Sequence, residues 1–279
     1  AVSVGWSGYM NGLLKNSDLF GLVQPGAMAL PEALRTGPMD GGSFNLLAFL
    51  IALAVTVLLV IGTSKSAKVN SVLVAIKVVA LTAFIVIAIP AVKDPNFQPF
   101  MPTGWGSPMG GIGVLGAAAS IFFAYVGFDA VSTAAEETKN PNRNIPIGLI
   151  GSLAVCTIFY LLVAYAAVGA VGAQPGGALS QSKEPLAFVL REIGWPKVGS
   201  AVAIAAIVAL PSVVLMMIFG QTRILFTMAR DGLLPDVLAK VHPKYHTPHV
   251  VTWVTGIAVS LFAAMFPVGM LADISNSGT

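Results

Sequence analysis

The chain has 279 residues, of which 56% are hydrophobic and only 10% charged, and its formal net charge at pH 7 is +3. Soluble domains carry about 25% charged residues, so the composition excludes an ordinary soluble domain and predicts an all-α, multi-pass membrane protein. The net charge is too small, and the basic residues too dispersed between apolar runs, to indicate a nucleic-acid partner. Cys156 is the only cysteine, so the chain can form no internal disulfide.

Apolar runs separated by polar loops predict six complete membrane spans and one partial span, all in one transmembrane domain over residues 1–279. At about 1.5 Å per residue, a run such as 44–62 is roughly 28 Å long, close to the thickness of the hydrocarbon core. We expect Pro211 to kink its helix, because proline has no backbone donor, and a short helix at 186–193. The predicted spans are 1–14 (partial), 44–62, 69–92, 111–135, 145–171, 198–220 and 250–268.

The two ends of the sequence favour a piece of a longer protein. The chain opens without an initiator methionine or a charged region before its first apolar residues, and it stops after Thr279 without a charged tail. We therefore expect further spans outside these residues.

The distribution of Lys and Arg predicts the orientation in the membrane. Three loops on one side, 63–68, 136–144 and 221–249, carry eight basic residues, and the loops on the other side carry six. Because short cytoplasmic loops are enriched in Lys and Arg, we expect these three loops on the cytoplasmic face of the cell membrane. The last of them is partly amphipathic, and we interpret 224–241 as either a plain connector or an interfacial helix pair.

Lys77 lies nine residues into the span 69–92, near the middle of the bilayer. A charged lysine at this depth costs roughly 2.5 to 3.5 kcal/mol on insertion scales. One interpretation is a lysine that snorkels or bonds to neighbouring carbonyls, although the position is far from the interface. The interpretation that we favour is a proton-titrating cation beside a transport site.

The span 111–135 has a polar and flexible centre, with Gly127 and Asp129 in the middle and aromatic residues on both sides of the glycine. One interpretation is aromatic packing around a glycine contact between helices. The other is a discontinuous helix whose free carbonyls bind an ammonium group while an aromatic ring closes over the ligand. Asp129 has three possible roles: it caps the second half-helix, pairs with a basic neighbour, or contacts substrate.

Two weaker patterns favour structure over chemistry. The sequence Gly5-Trp6-Ser7-Gly8 has the form used by intramembrane serine proteases, but their serine needs a membrane-depth histidine, and all three histidines lie in the loop 221–249. Two prolines interrupt the histidine segment and no acid or cysteine lies close, so we expect no metal site. We assign no catalytic residue.

Three segments resemble the cationic amino acid transporter family of the amino acid, polyamine and organocation superfamily. Residues 1–9 resemble part of its third span, GFDAVSTAAEETKNPNRNIPIG at 127–148 resembles its sixth-span region, and QTRILFTMARDGLLP at 221–235 resembles the loop after its eighth span. The segments are long and occur in the family's order. The resemblance covers nearly the whole chain, from the end of span three to the approach to span ten.

The resemblance implies a fold of two inverted five-helix repeats that holds substrate between the unwound centres of spans one and six. The span 111–135 would be span six. Phe123, Ala124 and Val126 then match the unwound segment, Phe128 matches its adjoining aromatic residue, and Lys77 matches the span-five lysine that replaces a sodium ion in proton-coupled relatives. Spans one and two have no counterpart in these residues, and with them the glycine-rich break of span one, which would receive the substrate carboxylate.

The function that the resemblance implies is secondary active transport of an L-amino acid, by proton-coupled symport and alternating access, with a proton gradient as driving force and no cofactor. The alternatives are an amino acid exchanger without proton coupling and a non-transporting amino acid sensor in the membrane. A cationic side chain would require a buried acid, and Asp129 is the only acid predicted inside a span. Neutral and cationic substrates therefore both stay open, as does the oligomeric state.

Overall fold

The computed structural model describes residues 1–16, 30–62, 67–106, 113–125, 127, 140–174 and 176–277. Within these ranges the chain forms α-helices and short 3-10 helices and no β-strand. The α-helices are α1 Val2–Asn16, α2 Leu46–Ile61, α3 Ala67–Ala88, α4 Gly113–Ile121, α5 Pro141–Val171, α6 Ala178–Gln181, α7 Pro185–Glu192, α8 Pro196–Arg230, α9 His249–Met265 and α10 Val268–Ser277.

The helices confirm the predicted all-α, multi-pass membrane fold. Three helical stretches are long and apolar enough to cross a bilayer: Ser71–Ala91, Pro141–Val171 and Pro196–Arg230. Shorter apolar helices occupy Leu46–Ile61, Gly113–Tyr125 and His249–Met265. Together these six stretches overlap the six predicted complete spans.

Some helix ends differ from the predicted span ends. α5 begins at Pro141, four residues before the predicted span, because proline is well tolerated at the first helical position. α8 continues to Arg230, ten residues beyond the predicted span, and Pro211 lies inside it without ending it. The helix ends before Gly232, whose φ of +80° suits a residue without a side chain. The short loop helix predicted at 186–193 is confirmed as α7.

Two compact units make up the chain, and the first comprises Ala1–Val79 and Ser200–Val268. In this unit α2 and α9 pack so closely that a Cβ atom on Gly256 would overlap the side chain of Thr56. A hydrophobic core joins α2 to α8 and consists of Val55, Val214, Leu215 and Ile218. Small residues at such contacts let helix backbones approach each other, as membrane helix packing requires.

The second unit comprises Ala80–Gly199 and Gly269–Thr279. Here the C-terminal end of α5 packs against the loop after α3, where Phe97 stacks on Tyr165 with ring centroids 5.3 Å apart. The carbonyl of Gly169 accepts hydrogen bonds from Lys93 N at 2.9 Å and Asn96 Nδ2 at 2.7 Å. These bonds satisfy a carbonyl of the last helical turn, which has no partner within the helix.

Candidate functional site

The helix predicted to be discontinuous changes character at the end of α4. Regular α-helix stops at Ile121, a 3-10 helix covers Phe122–Tyr125, and Gly127 has a φ of +113°. The nine residues of α4 rise about 13 Å, roughly half the thickness of the hydrocarbon core. The described residues therefore contain a half-length helix followed by a tightened segment and a glycine in a conformation that other residues rarely adopt. We call Phe122–Tyr125 the break segment.

Of the predicted substrate residues, Phe123 and Ala124 lie in the break segment. Phe123 is half-buried and Ala124 is exposed. Val126 and Phe128 lie outside the described residues, as does Asp129. The substrate roles of these residues stay predictions.

Two side chains of α5 hold the break segment. The hydroxyl of Tyr160 donates to the Ala124 carbonyl at 2.8 Å, and the Tyr125 hydroxyl lies 3.0 Å from Thr157 Oγ1. The rings of Tyr125 and Tyr160 also meet edge to face, with centroids 5.3 Å apart. Thr157 and Tyr160 are three residues apart and share one face of α5. Because a carbonyl oxygen has two lone pairs, the Ala124 carbonyl keeps capacity for a second donor.

Sequence reasoning missed Thr157 and Tyr160. The available signal is their spacing, since two hydroxyl groups three residues apart within an apolar span lie on one helix face, although Thr157 Oγ1 also donates to the Leu153 carbonyl of its own helix at 2.8 Å. The sequence does not say which segment provides those partners.

α10 reaches the same end of α4 from another direction. Asn276 Nδ2 donates to the carbonyls of Ala119 at 3.0 Å and Ser120 at 3.1 Å. Ser120 Oγ donates in turn to Asp273 Oδ1 at 3.3 Å. Asp273 and Asn276 lie beyond the predicted last span, which ends at 268, and neither is a predicted site residue.

Lys77 lies in the first unit and is half-buried. Its Nζ donates to Ser212 Oγ at 3.1 Å, and the Ser212 hydroxyl donates to the Ala209 carbonyl at 2.7 Å. Ser212 is buried and follows Pro211 in α8. The amine therefore hydrogen-bonds to a buried hydroxyl next to the proline, and its role in proton coupling stays a prediction.

The residues of the two weaker sequence patterns have structural partners. Ser7 Oγ donates to the Val4 carbonyl at 2.8 Å and accepts from Asn45 Nδ2 at 2.9 Å. His242 Nδ1 accepts from the backbone N–H groups of Lys244 at 3.1 Å and Tyr245 at 3.3 Å. In the part of the chain that the structure describes, no group of three or more His, Cys, Asp or Glu residues is placed to hold a metal ion.

A cavity of about 600 Å³ lies in the first unit, between α2, α8 and the loop that precedes α9. Its apolar wall includes Leu59 and Leu215. At its polar side the Arg223 guanidinium lies 4.5 Å from the centre of the Phe219 ring. Neither Phe123 nor Ala124, the two predicted substrate residues that the structure describes, lines this cavity.

A short apolar helix that passes into a 3-10 segment, together with a lysine inside an apolar helix, is typical of one class of proteins, the multi-pass membrane transporters with discontinuous helices. Comparison with known families gives the particular group. The profile of the family described as amino acid permease matches residues 19–278. The chain belongs to the amino acid permease family.

Individual relatives agree with this assignment. The chain is 42% identical over 279 residues to the branched-chain amino acid permease BcaP of Bacillus subtilis (strain 168), covering 100% of this chain and 57% of the relative. It is 40% identical over 281 residues to the methylthioribose transporter of the same organism, with the same two coverages. It is 37% identical over 237 residues to the chloroplastic cationic amino acid transporter 9 of Arabidopsis thaliana, covering 85% of this chain and 40% of the relative. The chain thus spans little more than half the length of the bacterial relatives.

Proposed function

We propose that this chain forms part of a secondary active transporter of L-amino acids in the cell membrane, which works by alternating access and proton-coupled symport. Membership of the amino acid permease family supports transport. The observation that carries the proposal is the break segment, because a helix interrupted inside the membrane offers carbonyls to a ligand. The proposal requires no catalytic residue and no cofactor.

In this proposal the substrate ammonium group binds the carbonyls near Phe123 and Ala124. Val126 lines the same segment and Phe128 closes over the substrate, as the family resemblance implies. Tyr160 fixes the direction of the Ala124 carbonyl through its 2.8 Å hydrogen bond, so that the free lone pair has a defined orientation.

Proton coupling is assigned to Lys77. A lysine within a span is costly to bury, and such residues usually serve the transport of ions or substrate. The Ser212 hydroxyl supports the assignment, since it accepts a hydrogen bond from either the charged or the neutral amine. An exchanger without proton coupling and a non-transporting sensor are the alternatives.

A second substrate class has a specific observation in its favour. The identity to the methylthioribose transporter, 40%, is almost equal to the identity to the branched-chain amino acid permease, 42%. A thioether sugar has no ammonium group, so only its hydroxyl groups could donate to the carbonyls of the break segment. Both substrate classes therefore belong in the test.

The test is uptake by the complete protein that contains these residues, purified and reconstituted in proteoliposomes. Leucine, arginine and methylthioribose are supplied with and without an inward proton gradient, and with unlabelled amino acid inside to detect exchange. Amino acid accumulation driven by the gradient supports the proposal. Uptake only against internal amino acid identifies the exchanger, binding without uptake identifies the sensor, and uptake of methylthioribose alone contradicts an amino acid substrate.

The proposed orientation places 63–68, 136–144 and 221–249 in the cytoplasm. Cys156 is the only cysteine in these 279 residues, so replacing it and any cysteine elsewhere in the complete protein with serine gives a background for single-cysteine labelling in whole cells. We expect Lys240→Cys in that background to resist a membrane-impermeant maleimide until the membrane is permeabilised, and Lys183→Cys to react without permeabilisation. Labelling in the reverse pattern would refute the orientation.

A further inference from the structure

The face of α10 that meets α4 carries two side chains, Asp273 and Asn276, that are not yet assigned a role. Both contact the last turn of α4, just before the break segment. They lie one helical turn apart, so they occupy the same face of α10. All of these residues belong to the second unit.

The orientation of the Asn276 amide is fixed by its surroundings. Its nitrogen donates to two carbonyls, those of Ala119 and Ser120. A rotated amide would turn its oxygen toward two carbonyl oxygens, which is unfavourable. The amide oxygen, Oδ1, therefore faces the other way, and it is buried without a hydrogen-bond partner among the described residues.

An orphan buried acceptor indicates a donor that arrives with a ligand, because buried polar atoms in native proteins are normally paired. The carboxylate of Asp273 strengthens this indication. One of its oxygens accepts from Ser120 Oγ, and no Lys or Arg among the described residues forms an ion pair with it. The C-terminal end of α4 adds the negative end of a helix dipole. All of these features favour a cation.

We propose that Asp273 and Asn276 form an acceptor subsite that binds the cationic side chain, ammonium or guanidinium, of a transported amino acid. The proposal rests on the function proposed above and extends it to the substrate class. The distance between the subsite and the Ala124 carbonyl suits such a substrate, because the four residues from Ser120 to Ala124 rise roughly 6 to 8 Å at helical pitch. A lysine-like stem of four methylenes covers a similar length, so the α-ammonium group can bind at Ala124 while the side chain reaches α10.

The decisive variant is Asp273→Asn, tested in proteoliposomes that contain the complete protein. Asparagine keeps the shape of the side chain and still accepts from Ser120, but it removes the charge. We expect the KM for arginine to rise about tenfold or more, since a charge-assisted bond becomes a neutral one, and the KM for leucine to change less than about twofold. The preference for arginine over citrulline, its neutral isostere, should disappear.

Two further variants separate this role from damage to the fold. Asp273→Glu keeps the charge, and we expect it to retain the preference for arginine over citrulline. Asp94→Asn makes the same change of charge at an exposed position of the second unit, and it should leave both substrates unaffected.

Equal losses for leucine and arginine in Asp273→Asn would assign a purely structural role and overturn the subsite. An unchanged KM for arginine would overturn it as well. A wild-type protein that takes up leucine but not arginine would refute the subsite and leave the proposed transport function intact. Absence of uptake for every amino acid would refute the transport function and the subsite together.

Discussion

The indole N–H of Trp6 donates to the carbonyl of Ile207 at 2.8 Å, and Ile207 precedes Pro211 by four residues. In an unbroken α-helix that carbonyl would accept from the backbone N–H of residue 211, which proline lacks. Trp6 therefore supplies the donor that Pro211 removes. This bond connects α1 to the proline-containing part of α8 within the first unit, and Ser212, which binds Lys77, directly follows that proline.

Trp6→Phe should destabilise the protein, because it removes this donor and leaves a carbonyl unsatisfied at membrane depth. Leaving a buried acceptor unsatisfied costs about 1 to 3 kcal/mol. Thermal unfolding in detergent measures the effect as a lower Tm. Trp105→Phe, at a position 65% exposed, makes the same chemical change and should leave Tm unchanged. If both variants unfold at the wild-type temperature, the Trp6 bond contributes nothing to stability.

Ser212→Ala should impair proton-driven accumulation more than it impairs exchange. The variant removes the hydroxyl that accepts from Lys77, while the chain keeps the lysine itself. We expect the accumulation ratio under a proton gradient to fall about tenfold, in line with the loss of a hydrogen bond to a charged group, while exchange against internal amino acid changes little. Proteoliposome uptake with and without the gradient distinguishes the two activities.

Ser152→Ala is the matched control for Ser212→Ala. Ser152 makes the same kind of bond to a carbonyl three residues earlier, but it is exposed and on α5. Lys77→Ala should also lose gradient-driven accumulation. Unaltered pH-driven uptake and an unaltered pH profile in Lys77→Ala would rule out its role in coupling.

Tyr160→Phe should weaken substrate binding without unfolding the protein. The variant keeps the ring that meets Tyr125 and removes only the hydroxyl that holds the Ala124 carbonyl. We expect the KM for amino acids to rise about fivefold to tenfold, the loss that about one hydrogen bond accounts for. Initial uptake rates over a range of concentrations provide the measurement.

Tyr165→Phe provides the comparison on the same helix. Tyr165 stacks on Phe97 through its ring, and removal of its hydroxyl leaves that contact in place. Its KM should match the wild-type value. An equal rise in KM in both variants would show that loss of either tyrosine hydroxyl on α5 weakens substrate binding. That result would contradict a specific role for Tyr160.

The positions of the helices follow from local features of the sequence. Long apolar runs bounded by Pro, Gly and polar residues determine α2 and α9 to within a few residues. The C-terminal end of α8 is harder to predict from the sequence. Hydropathy indicates where the chain leaves the hydrocarbon core, whereas the helix continues until shortly before Gly232. In membrane proteins these two boundaries need not coincide.

The partners of polar groups could not be predicted in the same way. Ala124 was predicted as a substrate residue from the family resemblance, but its hydrogen bond to Tyr160 depends on which faces of two helices meet. The same holds for Asn276, which lies 156 residues from Ser120 in sequence. Asp273 follows the last predicted span, so hydropathy does not indicate it as a site residue, and Asp129, the acid predicted inside a span, lies outside the described residues.

Gly256→Ala should destabilise the first unit, because the added methyl group would overlap Thr56 across the contact between α2 and α9. Overpacking a close helix contact costs about 1 to 3 kcal/mol, which thermal unfolding would show as a lower Tm. Gly220→Ala is the matched control, since its new Cβ would have no atom within 4 Å and alanine favours helix. We expect Gly220→Ala to leave Tm equal or slightly higher.

The double variant Gly256→Ala with Thr56→Ala should recover part of the loss, because it removes the atoms nearest the new methyl group. No recovery would show that the cost arises elsewhere than at this contact.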